Sequence, residues 1–277
     1  MRTHPLLPKL KQLRLGGMIN TLERRSQEAI DRSLAPMEFL ALLLDDEIER
    51  RDQKRFRRMI DASRLDESKT ISQFDFAASP WLSRTLVNEL SSCRFIDNAE
   101  NVLLAGPTGT GKSHLAQALG HEAIKQGKRV LYRPVHKLLA RLHGKRADGN
   151  FSKHLSRILH VELLILDDFG LVPLTQQSAE DLYEIIRQRY ENKSIVITSN
   201  RAPVEWADIF GNSLMASAAL DRLTHHSHFI EMKGESYRQR QRRLRTGQNI
   251  FEEKEEETET KTDQKKEKQI EEKSGEL

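Results

Sequence analysis

The eight residues 106–113 have a spacing that suits the binding of a polyphosphate. They read Gly-Pro-Thr-Gly-Thr-Gly-Lys-Ser and match the pattern G-x-x-x-x-G-K-[ST] at every fixed position. Glycines let the backbone wrap closely around phosphates, so that successive N–H groups point at the phosphate oxygens. Lys112 can reach the β- and γ-phosphates, and the hydroxyl of Ser113 can ligate Mg²⁺. The predicted nucleotide contacts are Gly106, Pro107, Thr108, Gly109, Thr110, Gly111, Lys112 and Ser113.

The residues on either side of this phosphate loop support the same interpretation. The apolar run 101–105 predicts a buried strand before the loop, and residues 114–125 predict a helix with one apolar face after it. The N-terminal end of that helix adds its positive dipole to the loop. A glycine-rich turn could match the pattern by chance. Strand, loop and helix in this order favour a site for a nucleoside triphosphate.

A second element of such a site is an apolar strand, predicted at 161–166, that is followed by two aspartates. Asp167 can hold Mg²⁺ through water, together with Ser113. Asp168 is placed to orient and deprotonate an attacking water. The two carboxylates could instead cap the loop that follows them, but the phosphate loop upstream favours the metal and base roles.

Strands and helices alternate through the central part of the chain. Strands are predicted at 101–105, 128–133, 161–166, 194–199 and 228–232, and helices at 113–126, 135–143, 150–159 and 176–190. This alternation predicts an α/β fold in which helices cover both faces of a parallel sheet. The strand at 128–133 lies between the phosphate-loop helix and the acidic strand, which indicates the additional-strand division of ATPases.

Three polar residues further along the chain could act on a phosphoryl group. Asn200 stands at the end of the strand 194–199, directly after its last residue, and could position the attacking water, or it could simply begin a turn. Arg222 lies on a short helix after that strand, and Arg238 lies at the start of a helix after the last strand. Arginine neutralises developing charge on a transferring phosphoryl group, in cis or from a neighbouring subunit. Either arginine could instead form an ordinary surface ion pair.

The chain divides into four predicted regions. Residues 1–65 form a small, basic, all-α domain, with helices at 5–32, broken or bent at Gly16-Gly17, and at 35–62. Residues 66–100 are a polar linker with a short helix at 83–91, and residues 101–248 form the ATPase domain. Residues 249–277 are rich in Lys and Glu and too poor in apolar residues to offset the entropy of ordering, so we expect them to be disordered.

Basic residues are concentrated outside this tail, so the net charge of +4 understates how basic the folded part is. Such a surface indicates a polyanionic partner, although a solvated charged face has the same composition. No base-reading module is recognisable, so we expect DNA contacts that are mainly to phosphates and depend strongly on salt. The predicted contacts are Arg50, Arg51, Lys54, Arg55, Arg57 and Arg58, and then Arg141, Lys145, Arg146, Lys153 and Arg157.

Composition also argues against several classes of protein. No apolar run approaches the roughly 18 residues of a membrane span, and the first residues are too short in apolar length for a secretory signal. Cys93 is the single cysteine and cannot form an internal disulfide. A cytoplasmic protein without a membrane partner is the prediction.

Taken together, these residues resemble the IstB-like family, AAA+ ATPase helpers of insertion-sequence transposition that are relatives of the DnaC helicase loaders. The resemblance covers roughly residues 5–245, and only the Lys/Glu-rich tail lies outside it. Its most specific stretches are 101–115, 164–170, 198–200, 219–228 and 230–238.

The resemblance implies an AAA+ core that uses ATP and Mg²⁺, with Asn200 as the first sensor, Arg222 as an arginine finger acting in trans and Arg238 as the second sensor. It also implies ATP-dependent assembly of a homo-oligomer on duplex DNA, distortion of that DNA and recruitment of a transposase, with hydrolysis as the disassembly switch. The catalytic position that the resemblance implies holds Asp168 rather than a glutamate, and the aspartate side chain is one methylene shorter. We therefore expect slow hydrolysis.

Two other functions use the same phosphate loop. A helicase loader would bind single-stranded DNA and a replicative helicase, often through an N-terminal metal-binding or docking domain. The N-terminal region here has no cysteine cluster and is predicted as basic helices. A small-molecule kinase typically needs a lid and an acceptor pocket, and it does not need two late arginines and a basic helical arm.

Overall fold

The computed structural model describes residues 5–246, and it begins with three helices. They are α1 (Leu7–Gln12), α2 (Gly16–Asp31) and α3 (Pro36–Ser63). The helix predicted over 5–32 is broken just before Gly16-Gly17, as one of the two predicted alternatives, and the two glycines begin α2. A Cβ atom on Gly17 would lie 2.6 Å from the carbonyl oxygen of Asp46, so glycine at this position lets α2 pack closely on α3.

The next segment packs against the nucleotide-binding half of the chain. It contains 3₁₀ turns at Ile71–Gln73 and Phe76–Ala78, and then helices α4 (Arg84–Ser91) and α5 (Arg94–Asp97). Phe74, between the two turns, is buried. The backbone N–H of Asp66 donates to Gln117 Oε1 at 2.9 Å, across 51 positions in sequence. Residues 66–80, the first part of the predicted polar linker, therefore adopt compact turns that cover the helix after the phosphate loop.

Within the described residues, five parallel strands form one sheet in the order β2-β3-β4-β1-β5. The strands are β1 (Asn101–Ala105), β2 (Val130–Pro134), β3 (Leu163–Phe169), β4 (Ser194–Ser199) and β5 (Ser227–Glu231). The helices are α6 (Lys112–Lys125), α7 (Val135–Ala147), α8 (Phe151–His160), α9 (Gln176–Arg189), α10 (Trp206–Ile209), α11 (Ser213–Thr224) and α12 (Tyr237–Thr246). The α/β fold with a parallel sheet is confirmed.

Both faces of the sheet are buried, which explains why its central strands are apolar throughout. Leu104 of β1 packs into a cluster with Leu115 of α6, whereas the preceding residue, Leu103, packs into a second cluster with Leu139 of α7 and Ile185 of α9. Successive side chains of a strand point to opposite faces, so a strand covered on both sides needs apolar residues at every position.

Strand β2, which precedes the acidic strand β3 in the chain, lies at the edge of the sheet. The strand between β1 and β3 is instead β4, which ends just before Asn200. The pairing of β3 with β4 shifts between Leu166 and Phe169, so that Asp167 and Asp168 both lie opposite the single residue Thr198. This is a β-bulge, and Asp168 within it has a φ of 56°. The bulge lets two consecutive carboxylates reach the same end of the sheet.

Candidate nucleotide-binding site

The phosphate loop joins β1 to α6 and is packed against the chain that follows β5. Gly106 has a φ of +146°, and a Cβ atom there would lie 2.0 Å from the carbonyl oxygen of Met232. Gly109 has a φ of +87°, and its Cβ atom would lie 2.1 Å from Ser236 Oγ. Neither position has room for a side chain. The loop is thus a backbone cradle of the kind that binds phosphate groups through N–H donors.

Lys112 holds its ammonium group at this loop. Its Nζ donates to the carbonyl oxygens of Gly106 and Pro107, both at 2.7 Å. Burial lowers the pKa of the Lys112 ammonium to about 8, although Asp167 and Asp168 act in the opposite direction. The group is therefore a cation at neutral pH that has lost part of its hydration, and it would interact strongly with a phosphate.

Asp167 is buried and accepts hydrogen bonds from three hydroxyl groups. Ser113 Oγ donates to its Oδ1 at 2.8 Å, and Thr198 Oγ1 donates to the same oxygen. Tyr132 donates its hydroxyl to Oδ2. Burial raises the pKa of the Tyr132 hydroxyl, and the Asp167 carboxylate raises it further. A serine hydroxyl beside a carboxylate is a pair of oxygen ligands that fits Mg²⁺.

Asp168 lines the cleft in front of the phosphate loop and is half-buried. Its backbone N–H donates to Thr198 Oγ1 at 3.1 Å, which fixes the bulge to β4. Burial raises the pKa of the Asp168 carboxyl, and the neighbouring Asp167 carboxylate raises it further. Lys112 and the ring of His136 act in the opposite direction. A carboxylate with a raised pKa that faces a cleft is suited to accept a proton from water.

The cleft has a volume of about 510 Å³, which is in the range of small-molecule sites. Residues 108–113 line it together with Asp168, and so do Asn200, which follows β4 directly, and Arg238 of α12. Arg222 does not line it within the described part of the chain. On α11, Arg222 is half-buried and donates to the carbonyl oxygen of Ala218 at 2.7 Å.

A family model of IstB-like ATP-binding proteins matches residues 8–245. The chain belongs to the IstB-like ATP-binding family. A protein of Pseudomonas aeruginosa that is named for insertion sequence IS21 and ATP binding is 36% identical over 240 residues, which cover 87% of this chain and 91% of the relative. A Mycobacterium tuberculosis protein, named for ATP binding in an insertion sequence, is 38% identical over 238 residues, which cover 86% of this chain and 95% of the relative.

Among solved structures, this IstB-like protein is similar to AMPPCP-bound DnaA from Aquifex aeolicus. The TM-score is 0.53 at 24% identity, and the match covers 62% of this chain and about half (52%) of the DnaA chain. At this identity the similarity shows the fold, which is the AAA+ P-loop ATPase fold. Within residues 5–246, no helix is both long and apolar enough to cross a membrane.

Several residues that line or support the IstB-like site were not predicted from the sequence. Phe74 lies against the loop, with its Cε2 3.1 Å from where a Cβ on Gly111 would be, and its ring meets the His114 ring edge-on at 5.4 Å. Thr198 and Tyr132 contact the carboxylate of Asp167. The sequence offered a signal only for Phe74, which together with Phe76 stands out in a mainly polar segment, as is typical of residues that pack elsewhere.

The predicted DNA contacts of this IstB-like protein fall into distinct environments. Arg51, Lys145 and Arg146 form ion pairs with Glu47, Asp148 and Asp181, respectively. The guanidinium of Arg50 lies against Gly16. Lys54, Arg57 and Lys153 are exposed. The remaining four, Arg55, Arg58, Arg141 and Arg157, come together in one groove from two ends of the sequence.

Proposed function

We propose that this IstB-like protein is a slow, Mg²⁺-dependent ATPase whose ATP-bound form assembles on duplex DNA and recruits a transposase. The observation that carries the proposal is the contact between the phosphate loop and the two aspartates, Asp167 and Asp168. Ser113 of the loop contacts Asp167 at 2.8 Å, and Asp168 lines the same cleft. The names of the relatives add the insertion-sequence context.

The chemistry follows from these positions. The loop N–H groups and Lys112 would hold the β- and γ-phosphates, and Ser113 and Asp167 would hold Mg²⁺, which neutralises charge on the phosphate oxygens when bound. Asp168 accepts the proton of the water whose oxygen attacks the γ-phosphorus. The bond from the γ-phosphorus to the bridging oxygen breaks, and ADP leaves with its electron pair. Asn200 orients the water, and Arg238 contacts the phosphate from α12.

The place of Arg222 supports assembly into a homo-oligomer. Arg222 is a cation on α11 that lies outside the cleft of its own chain, so it could complete the cleft of a neighbouring subunit. In that arrangement hydrolysis requires contact between subunits, and loss of the γ-phosphate weakens the contact. ATP turnover then acts as the switch that ends the assembly.

Light scattering of the purified protein tests this function. The protein is sized with and without ATP, and with duplex or single-stranded DNA, beside the Lys112→Ala variant and a mixture containing the transposase of the same insertion sequence. We expect large particles only with ATP and duplex DNA, none with Lys112→Ala, and co-assembly of the transposase.

Other results would contradict the proposal in identifiable ways. A preference for single-stranded DNA would indicate a helicase loader instead. A monomer that ignores both DNA forms would leave an ATP-binding protein without the DNA function. A rate of about 10 s⁻¹ corresponds to an activation free energy of about 16 kcal/mol. A single-turnover rate well above this value would contradict slow hydrolysis.

A further inference from the structure

A second groove, of about 680 Å³, lies between the C-terminal half of α3 and the edge strand β2, with α7 and α8 on its other side. Its floor is apolar and includes Leu131, Leu138 and Ile158. No Asp or Glu of the described chain lines it. We name it the arginine groove after its basic lining residues, which are Arg55, Arg58, Arg64, Arg129, Arg133, Arg141, His154 and Arg157.

Most of these arginines are not neutralised by the protein itself. Arg129 is paired with Glu162 at 2.7 Å, and Arg133 donates to the carbonyl oxygen of Tyr132 at 2.6 Å. Across residues 5–246, no ion pair connects a carboxylate with any of the five others, which are Arg55, Arg58, Arg64, Arg141 and Arg157. By contrast, Arg146, on the same helix as Arg141, is paired with Asp181.

The cations of the groove are close enough to act on one another. Burial lowers the pKa of the Arg133 guanidinium, and the charges of Arg64 and Arg141 lower it further. The pKa of the His154 ring is lowered by burial and then by Arg141 and Arg157. Like charges from α3, β2, α7 and α8 thus face one space, and their repulsion would be relieved by an anion placed between them.

We propose that the arginine groove binds the sugar–phosphate backbone of duplex DNA. The inference rests on the proposed function, because it takes DNA as the polyanion. The planar fork of arginine matches the geometry of phosphate oxygens, and cations distributed over four elements suit a polymer with repeated phosphates better than a single phosphate. The floor is apolar, so polar contacts come only from the basic residues around it, and we expect most of these contacts to be to phosphates.

The groove also explains how two separated basic segments act together. Arg58 of α3 and Arg157 of α8 are 99 positions apart in the chain, and they line the same space. A DNA strand in the groove therefore contacts the N-terminal helices and the ATPase fold at once. It fixes the position of α3 against the open edge of β2.

Two double variants of equal charge change test the groove. Arg58→Gln/Arg157→Gln removes one groove arginine from α3 and one from α8. Arg24→Gln/Lys137→Gln removes two exposed cations, from α2 and α7, that lie outside the groove and outside the predicted DNA contacts. Duplex affinity is measured by fluorescence anisotropy at several salt concentrations, and ATP binding reports folding. The slope of log K against log salt is negative, and its magnitude grows with the number of phosphate contacts. We expect the groove variant to reduce this magnitude by about 2, and the control to change it little.

The outcomes separate the groove from the proposed function. If the wild type binds duplex DNA and both double variants weaken it equally, affinity follows net charge and the groove proposal is wrong, while the DNA function stands. If the wild type binds ATP but no duplex, the DNA function and the groove proposal both fail. A synthetic peptide of residues 252–277 is a third probe. If this peptide binds the wild type but not the groove variant, while both proteins bind duplex DNA with the same affinity, the groove binds an acidic peptide and the proposal is wrong.

Discussion

Tyr237 donates its backbone N–H to the carbonyl oxygen of Gly109 at 2.9 Å, so that helix α12 begins on the phosphate loop. Arg238 is the next residue and lines the nucleotide cleft. The conformation of the loop and the position of this arginine are therefore connected through one hydrogen bond. A nucleotide that orders the loop would also set the start of α12.

This contact predicts the effect of Gly109→Ala. The new Cβ would lie 2.1 Å from Ser236 Oγ, so the start of α12 must move, and Arg238 with it. We expect ATP affinity to fall by about tenfold or more, which is about 1.4 kcal/mol. Calorimetric titration measures this affinity. Gly127→Ala is the matched control, because Gly127 also has a positive φ but no atom lies within 4 Å of its Cβ position. A similar loss of affinity in both variants would refute the connection.

The pKa of Lys112 predicts how ATP binding depends on pH. Burial lowers this pKa to about 8, and bound phosphates would raise it, so binding above pH 8 requires uptake of a proton. We expect ATP affinity to be constant below about pH 8 and to fall by roughly tenfold per pH unit above it. Titrations across this range test the prediction. Lys112→Arg, which stays charged, should bind ATP without this dependence.

Asp168→Asn should separate ATP binding from hydrolysis. Asparagine tolerates a positive φ as aspartate does, so the bulge is preserved while the proton acceptor is lost. We expect hydrolysis to fall by about 10²- to 10⁴-fold, with ATP binding and assembly retained. Single-turnover kinetics measure the change. Because burial and Asp167 raise the Asp168 pKa, the wild-type rate should fall on acidification at a pH above the usual aspartate pKa. Unchanged turnover in the variant would exclude Asp168 as the base.

Mixing two inactive variants tests whether Arg222 acts in trans. Arg222→Ala should lower turnover of the assembled protein by about 10³-fold or more and leave ATP binding unchanged. A mixture with Asp168→Asn forms some interfaces in which an intact cleft meets an intact Arg222. We expect ATPase activity to return in the mixture, while each variant alone stays inactive. Absence of recovery, with mixed particles confirmed by light scattering, would place Arg222 in its own cleft or outside catalysis.

The order of strands and helices follows from sequence patterns because both faces of the sheet are buried. The strand at 194–199 was predicted at its observed bounds, since it is a short apolar run between polar residues. The predicted strand at 161–166 ends three residues early, because the bulge at Asp167 and Asp168 continues the pairing to Phe169. A bulge depends on the partner strand, and no local pattern reveals it.

The site shows the same division between local and long-range information. The residue types and spacing of the phosphate loop define its chemistry locally. The hydroxyls of Tyr132 and Thr198 meet Asp167 only because β2, β3 and β4 are neighbours in the sheet, which is a long-range arrangement. Residues 66–80 appeared to be a linker because polar residues dominate there, and Phe74 is buried only because α6 and the loop offer it a surface. Helix α5 has only four residues, which are too few to show the apolar periodicity that predicts a helix from sequence.

The left-handed backbone at Asp168 restricts which residues can replace this aspartate in evolution. Aspartate and asparagine tolerate a positive φ better than glutamate does, because their short polar side chains bond to the nearby backbone. A change to glutamate would lengthen the catalytic side chain but would add a conformational cost on the order of 1 kcal/mol. The shape of the backbone thus selects the shorter acid. A lineage under selection for faster turnover would have to remodel the bulge as well as replace the residue.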